Sequence, residues 1–519
     1  MLKIPENERI WKEYEKGLDF NAKIGLDETV KMNENFFIGR QWEGIEANGL
    51  PTPVFNFLKR VVLFTVASVA ASSVKMVATP MGTGGGGLDA EVINAEFEKL
   101  FEINKIGALI REFLRNAAVD GDGCMYTYWD SEAEANDGTK GRIVTEIVEN
   151  TQVFFGNASD RQVQRQPYII VSRREMLESA RKRAKENGID AREITADADS
   201  LSRAYSDDSD KVTVLIKFWR NPETKTVWAT ECVKNAVLRP AWDTGLRLYP
   251  VTWLNWDYIQ GCYHGQAMIT GLIPNQVFIN KMYAMSMISL MTTAYPKIVY
   301  DKTRIARWDN RVGAAIPVQG GDVNSVARII DPAQISPQIA QFIDMAVANT
   351  QAFLGATNAA LGEIRPDNAS AIIAVQKAAA VPNEITRQNL HQSIEDLGRI
   401  YIDFMGGYYG KRPVCVEAPE EMAAALEFAG AAGREVVTEF DFRQVKDRNI
   451  ALKLDVGASA YWSEITEMQT LDNLLVSGQI GLDDYLERLP DGHIARRQEL
   501  LEKVRAGKSA ADLTVNKNI

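Results

Sequence analysis

Histidine is nearly missing from this chain: His264, His391 and His493 are the only three in 519 residues. They lie far apart, and with cysteine limited to Cys124, Cys232, Cys262 and Cys415 there is no His-x3-His or Cys-x2-Cys pair to build a zinc site. The four cysteines show no pairing spacing, which suits a reducing compartment and not a disulfide-stapled domain. Long apolar runs are missing too. The stretch VVLFTVASVAASSV between Arg60 and Lys75 has 14 residues, short of the roughly 20 that span a bilayer. The Met-rich stretch 268–295 is broken by Pro274, Asn275, Gln276, Asn280 and Lys281. The opening MLKIPENERIWKEYEKG is charged and has no apolar core, so no signal peptide is expected, and the chain reads as soluble. An excess of positive charge is also lacking. With 58 Lys and Arg against 69 Asp and Glu the net charge is −11, which argues against a broad grip on nucleic acid while permitting weak contact.

Catalytic signatures fail one by one. Gly507-Lys508-Ser509 has Glu502 where a phosphate-binding loop needs its first glycine. The run Gly84 to Gly87 leads into Leu88 and Asp89 with no lysine to reach a phosphate, and reads as a hinge. Gly457-Ala458-Ser459-Ala460-Tyr461 lacks the last glycine of a nucleophile elbow. Asp197-x-Asp199 continues into Ser200 and Leu201, so calcium-loop spacing is lost. No catalytic, cofactor or metal site is expected.

What the chain does have is length for roughly three domains and a long helical hairpin. Ser336 caps and Pro337 opens a first arm with a stripe of Ile339, Phe342, Ile343, Ala346, Val347, Phe353 and Leu354. The irregular connector ATNAALGEIRPDN follows, and Asp367 or Asn368 can cap a second arm. Pro382 removes one backbone bond inside that arm and predicts a kink. The arm resumes through Leu390, Ile394, Leu397, Tyr401 and Phe404 and is expected to stop at Gly406-Gly407.

Upstream, helices are expected over 7–20, 54–76 and 90–118, and strands over 124–129, 143–147, 168–172, 212–219 and 226–231. The stretch SRREMLESARKRAKENG reads as a basic amphipathic helix, more plausibly a solvated face than a DNA contact. This half is one α+β domain ending near Asn255. A second long helix is expected from His264 to Tyr295, then a strand-rich insert before the hairpin. Met268, Met282, Met285, Met287 and Met291 along that helix are read first as adaptable core packing and second as a seam between subunits. Trp42, Trp253 and Trp256 are expected in the core. Further strands follow Gly410, then short helices within 464–478 and 482–490.

This order of parts, with the strings NENFFIGRQWEGI, PVFNFLKRVV, NAALGEIRPDNASAIIAVQKAAAVP and LDVGASAYWSEITEMQTLDNLLVSGQIGLDDYLERLPDG, resembles the portal (head–tail connector) proteins of tailed bacteriophages, of the long-tailed type of Gram-positive hosts. The resemblance spans nearly the whole chain and rests on the joint order of strings, none of which is a catalytic fingerprint. It implies an α+β portal fold: wing over 1–260, stem helix 1 over 261–296, clip over 297–335 and stem helix 2 over 336–355. A tunnel loop would occupy 356–368, a kinked long helix 369–405, wing strands 406–462, and a crown with tail 463–519. It further implies a homo-oligomeric ring of twelve at one capsid vertex, a channel through which double-stranded DNA is packaged and ejected. The partners would be the terminase large subunit, the head–tail adaptor, and major capsid and scaffolding proteins, with no membrane and no cofactor. The location would be the virion, after synthesis in the bacterial cytoplasm.

The resemblance also places candidate residues. Asn358, Glu363, Arg365, Asp367 and Asn368 would lie on the DNA-channel loop, Pro382 would be a hinge, and Arg304, Arg307, Trp308 and Arg311 would face adaptor and terminase on the clip. Residues 337–405 hold four Lys/Arg and seven Asp/Glu, a net of −3 that would repel phosphate and let a duplex slide. Arg365 could touch phosphate with Glu363 and Asp367 limiting its hold; an Arg365–Asp367 or inter-subunit ion pair is an equal reading. A static kink at Pro382 is the simpler alternative to a hinge. Two rival classes remain: another virion structural protein, and a metal-dependent enzyme whose carboxylates converge only in space.

Overall fold

The structure, a computed structural model, describes residues 6–70, 74–80, 87–134, 139–198, 210–294, 298–309, 311, 314–330, 338–353, 383–417, 435–447, 450–456, 471–489 and 500–501. It is a mixture of helix and antiparallel strand, as an α+β reading requires.

The opening forms two helices, α1 (Glu6–Ile24) and α2 (Leu26–Ile38), where one was expected over 7–20. Gly25 separates them at φ 66°, a left-handed turn that costs glycine nothing. The expected helix over 54–76 is shorter, α3 (Phe57–Ala70), because the residues beyond it form strand β1 (Val74–Pro80), which pairs antiparallel with residues 450–456. The third expected helix is split into α4 (Gly87–Ile103) and α5 (Ile106–Asp120). At the break Asn104 turns its amide onto Leu100 O (3.0 Å) and Ile143 O (3.2 Å), and Lys105 takes φ 51°. A side chain that bonds to the backbone of two elements competes with helix continuation.

Two sheets build the body. The first has the order β3 (Lys140–Ile147), β2 (Asp122–Glu134), β9 (Val251–Asn255). The second runs in sequence order through β4 (Val153–Phe155), β5 (Tyr168–Met176), β6 (Lys211–Arg220), β7 (Val227–Cys232) and β8 (Val237–Asp243). All pairings are antiparallel, with Met125 opposite both Ile147 and Thr252. The stretch expected as one basic helix is divided: its first five residues end β5, and α6 (Leu177–Glu186) carries the rest.

The main core lies between the three-stranded sheet, α3 to α5, and α9 (Glu384–Phe404), the described part of the expected kinked helix. Leu390, Ile394, Leu397, Tyr401 and Phe404 are buried there, the face its spacing predicts. Tyr401 Oη, Thr145 Oγ1 (2.8 Å) and Thr127 Oγ1 (3.0 Å from Thr145) thread hydroxyls through it, so the buried polar atoms satisfy one another. Trp256 is buried, while Trp253 and Trp42 are half-buried; the last belongs to a loop and not to the core.

Gly406 and Gly407 do not end the helix. They lie in a π-helical turn, Met405–Tyr409, which closes at Gly410 with φ 62°. Asp403 anchors this end by accepting from Arg247 N (2.6 Å) and Leu248 N (2.9 Å), with Lys446 Nζ 3.5 Å away. The later strands join two antiparallel pairs: β12 (Lys411–Glu417) with β13 (Glu435–Asp441), and β14 (Ile450–Val456) with the distant β1. A helical stretch over 471–476 and α10 (Leu482–Arg488) lie within the two expected C-terminal helices.

Candidate functional site

The second long helix, α7, covers Ile273–Ala294 and starts nine residues after the expected His264. The reason is chemical. His264 is buried, its Nδ1 2.7 Å from Asp122 Oδ2, and Asp122 also accepts from Gly265 N (2.7 Å), Asn255 Nδ2 (2.7 Å) and Asn150 Nδ2 (3.3 Å). A carboxylate sealed from water is tolerable only with donors on both oxygens, and these come from β9, the turn at Asn150 and the segment leading to α7. The residues 255–267 are thereby tied to β2 and cannot wind into helix.

α7 packs against α8 (Gln338–Phe353), with Asn275 Nδ2 donating to Thr350 Oγ1 (3.0 Å). In its first half α7 buries Gln276, Ile279 and Asn280 against the body. At 100° per residue that same face continues as Met287, Leu290 and Met291, which are bare: Leu290 is 60% exposed and Met291 53%. On the opposite side Phe278 and Met285 are exposed as well, Met285 at 61%. Only Met268 is buried among the methionines first read as core packing. That reading gives way to an apolar helix with two uncovered sides. α8 adds exposed Phe342 and Met345. The signal that could have found this was the absence of charged residues after Lys281 on either side of α7.

The segment between the helices is less strand-rich than expected. It has only two three-residue strands among the described residues, β10 (Ile298–Tyr300) and β11 (Ala327–Ile329), paired antiparallel. Ile305 and Val326 are its small buried centre. Two of the three arginines read as partner-facing are engaged locally. Arg304 pairs with Asp301 (3.7 Å) and reaches Ser325 Oγ (3.3 Å), and Arg311 makes a two-pronged contact with Asp309 (2.6 and 2.9 Å). Hydrogen bonds from Thr303 hold the Asp301 carboxyl below its usual range, and Arg311 does the same to Asp309. Trp308 packs at a tilt against Tyr300 with ring centres 5.4 Å apart. Arg307 is exposed and makes no ion pair with a described residue.

Asn358, Glu363, Arg365, Asp367, Asn368 and Pro382, like Ser336 and Pro337, lie outside the described residues.

Several arginines of the basic stretch around α6 are held in ion pairs. Arg173 pairs with Glu146 and lies over the rings of Tyr126 and Tyr128, Arg174 pairs with Asp197, and Arg183 bridges Glu175 and Glu231. Among the described residues no group of three His, Cys, Asp or Glu could hold a metal, and no helix is long and apolar enough to cross a membrane. A groove of about 510 Å³ between β9, α9 and the turn 161–164 is of mixed polarity; its titratable lining of Arg161, Tyr258, Asp396 and Arg399 offers no nucleophile–base pair.

The comparisons join this geometry to a family. No curated protein matches the chain. Residues 244–415 match the family model described as Phage P22-like portal protein, a span that opens before β9 and closes in β12, taking in the Asp122-facing segment, α7, α8, the tip between them and α9. Over residues 244–415, then, the chain is similar to the P22-like phage portal proteins.

Proposed function

We propose that this chain is a portal subunit that closes into a ring of twelve at one capsid vertex and forms the channel for packaging and ejecting double-stranded DNA. The observation that carries the ring is the two-sidedness of α7. Met287, Leu290 and Met291 occupy one face and Phe278 and Met285 the opposite one. A two-fold dimer covers the same patch on both partners, whereas two different patches need two different neighbours, the head-to-tail arrangement that closes into rings. The α7–α8 pair would be the stem, the β10–β11 segment the clip, and the body the wing.

The net charge of −3 over residues 337–405 supports a bore that does not trap its cargo. On this reading Asn358, Glu363, Arg365, Asp367 and Asn368 face the DNA and Pro382 lets their loop tilt. Arg307, with no ion-pair partner among the described residues, is the clip arginine best able to meet an acidic surface of the adaptor or terminase. The Gram-positive, long-tailed type rests on the wing, tunnel-loop and crown strings alone. Sedimentation velocity of the purified chain tests the assembly: ring-sized particles support it, and a species of 57.7 kDa at every concentration and salt contradicts it.

A further inference from the structure

Between α2 and α3 runs a loop, residues 39–56, held by tight turns and by side-chain hydrogen bonds. Asn48 and Gly49 both have positive φ (48° and 79°), and Leu50 N donates to Ala47 O at 2.8 Å, a tight turn of the kind Asn-Gly favours. A second turn at Gly44 (φ 80°) is closed by Ile45 N to Trp42 O, 3.1 Å. Trp42 Nε1 then fastens the return strand at Pro53 O, 2.9 Å. The base is held by buried amides of α7: Gln276 Nε2 donates to Phe55 O (2.7 Å), and Asn280 Nδ2 to Gln41 Oε1 (2.6 Å).

This scaffold displays apolar side chains to water. Ile45 and Leu50 are each 56% exposed. A loop ordered in advance loses little further entropy on contact, and bare apolar tips on it mark an interaction surface. Its position names the partner. Phe55 stacks on Tyr283 with ring centres 4.0 Å apart, and Tyr283 lies on the α7 face that continues as Met287 and Leu290. Anything covering that face reaches the loop.

We propose that loop 39–56 is a preformed docking element for a second copy of this chain, extending the α7 contact outward with Ile45 and Leu50 as its anchors. The inference rests on the ring reading above. A benzophenone amino acid at position 50 of the full chain, followed by irradiation and peptide mapping, tests it directly. Cross-links between copies are expected. The I45D/L50D double variant should weaken assembly about a hundredfold, each buried side chain being worth about tenfold. G49V, which leaves both tips in place but strains the turn, should weaken assembly as well, whereas a merely sticky surface would tolerate it. Circular dichroism on each variant reports the fold. Cross-links confined to one chain, with I45D/L50D assembling like the parent, would overturn the docking role and leave the ring reading standing. A parent chain that never assembles would overturn both.

Discussion

Asp122 and His264 face each other 2.7 Å apart, both sealed from solvent, and this contact fixes where the chain leaves its sheet for the α7–α8 pair. Removing one side of such a pair strands a buried charge or donor set. D122A is expected to cost about 3–5 kcal/mol, seen as a clear fall in the thermal unfolding midpoint. An unchanged midpoint would mean that Asp122 is not the node on which residues 255–267 are folded.

Two glycines at positive φ, one beside this node and one after α6, should differ sharply in tolerance. A Cβ on Gly121 (φ 101°) would come 2.7 Å from Gly265 O, a backbone atom that cannot move aside. At Gly188 (φ 74°) a Cβ meets nothing within 4 Å. G188A should cost about 1 kcal/mol, the conformational term alone, and G121A several-fold more. Equal denaturation midpoints for the two variants would refute the packing described.

Burial raises the phenol of Tyr408 from 10.0 to about 12, and raises those of Tyr401 and Tyr409 further. A group whose folded pKa lies above its unfolded one stabilises the fold fully below the unfolded value and loses that contribution as pH rises. Stability should therefore hold to about pH 9 and decline above 10, by about 1.4 kcal/mol per pH unit for each phenol kept neutral. Denaturant titrations between pH 8 and 12 would show this; a decline already complete by pH 9 would point to other groups.

The bare face of α7 should matter for assembly and little for the fold. The double variant M287D/L290D puts charge where an apolar neighbour is expected, so assembly should fail while the circular dichroism of the chain stays the same. A variant that still assembles would remove the main support for a head-to-tail ring.

For the channel loop the expected outcome is functional. On the proposed channel reading, replacing Glu363 and Asp367 with lysine would turn a repelling wall into one that holds phosphate, and DNA filling should stall. Normal filling in a packaging assay would set aside that role for these two residues.

The parts legible in the sequence were those with strong periodicity. The buried face of α9 and strands β2, β3, β5, β6 and β7 follow from residue spacing, and the order of parts carried the family resemblance. What failed had local causes of another kind. Asn104 breaks a helix by bonding to a distant strand, Gly406 and Gly407 are absorbed in a π-helical turn, and His264 is withheld from α7 by a carboxylate 142 residues earlier in the chain. Those contacts exist only after folding, so no window of sequence contains them. The methionines of α7 misled for a related reason: core and subunit seam ask for the same side chains, and only exposure separates the two.

The central claim is tested most directly by electron microscopy of the purified chain, with class averages viewed down the particle axis. The account predicts a closed ring with a central channel wide enough for a DNA duplex. Compact monomers or two-fold dimers across a wide range of concentration and salt would contradict it.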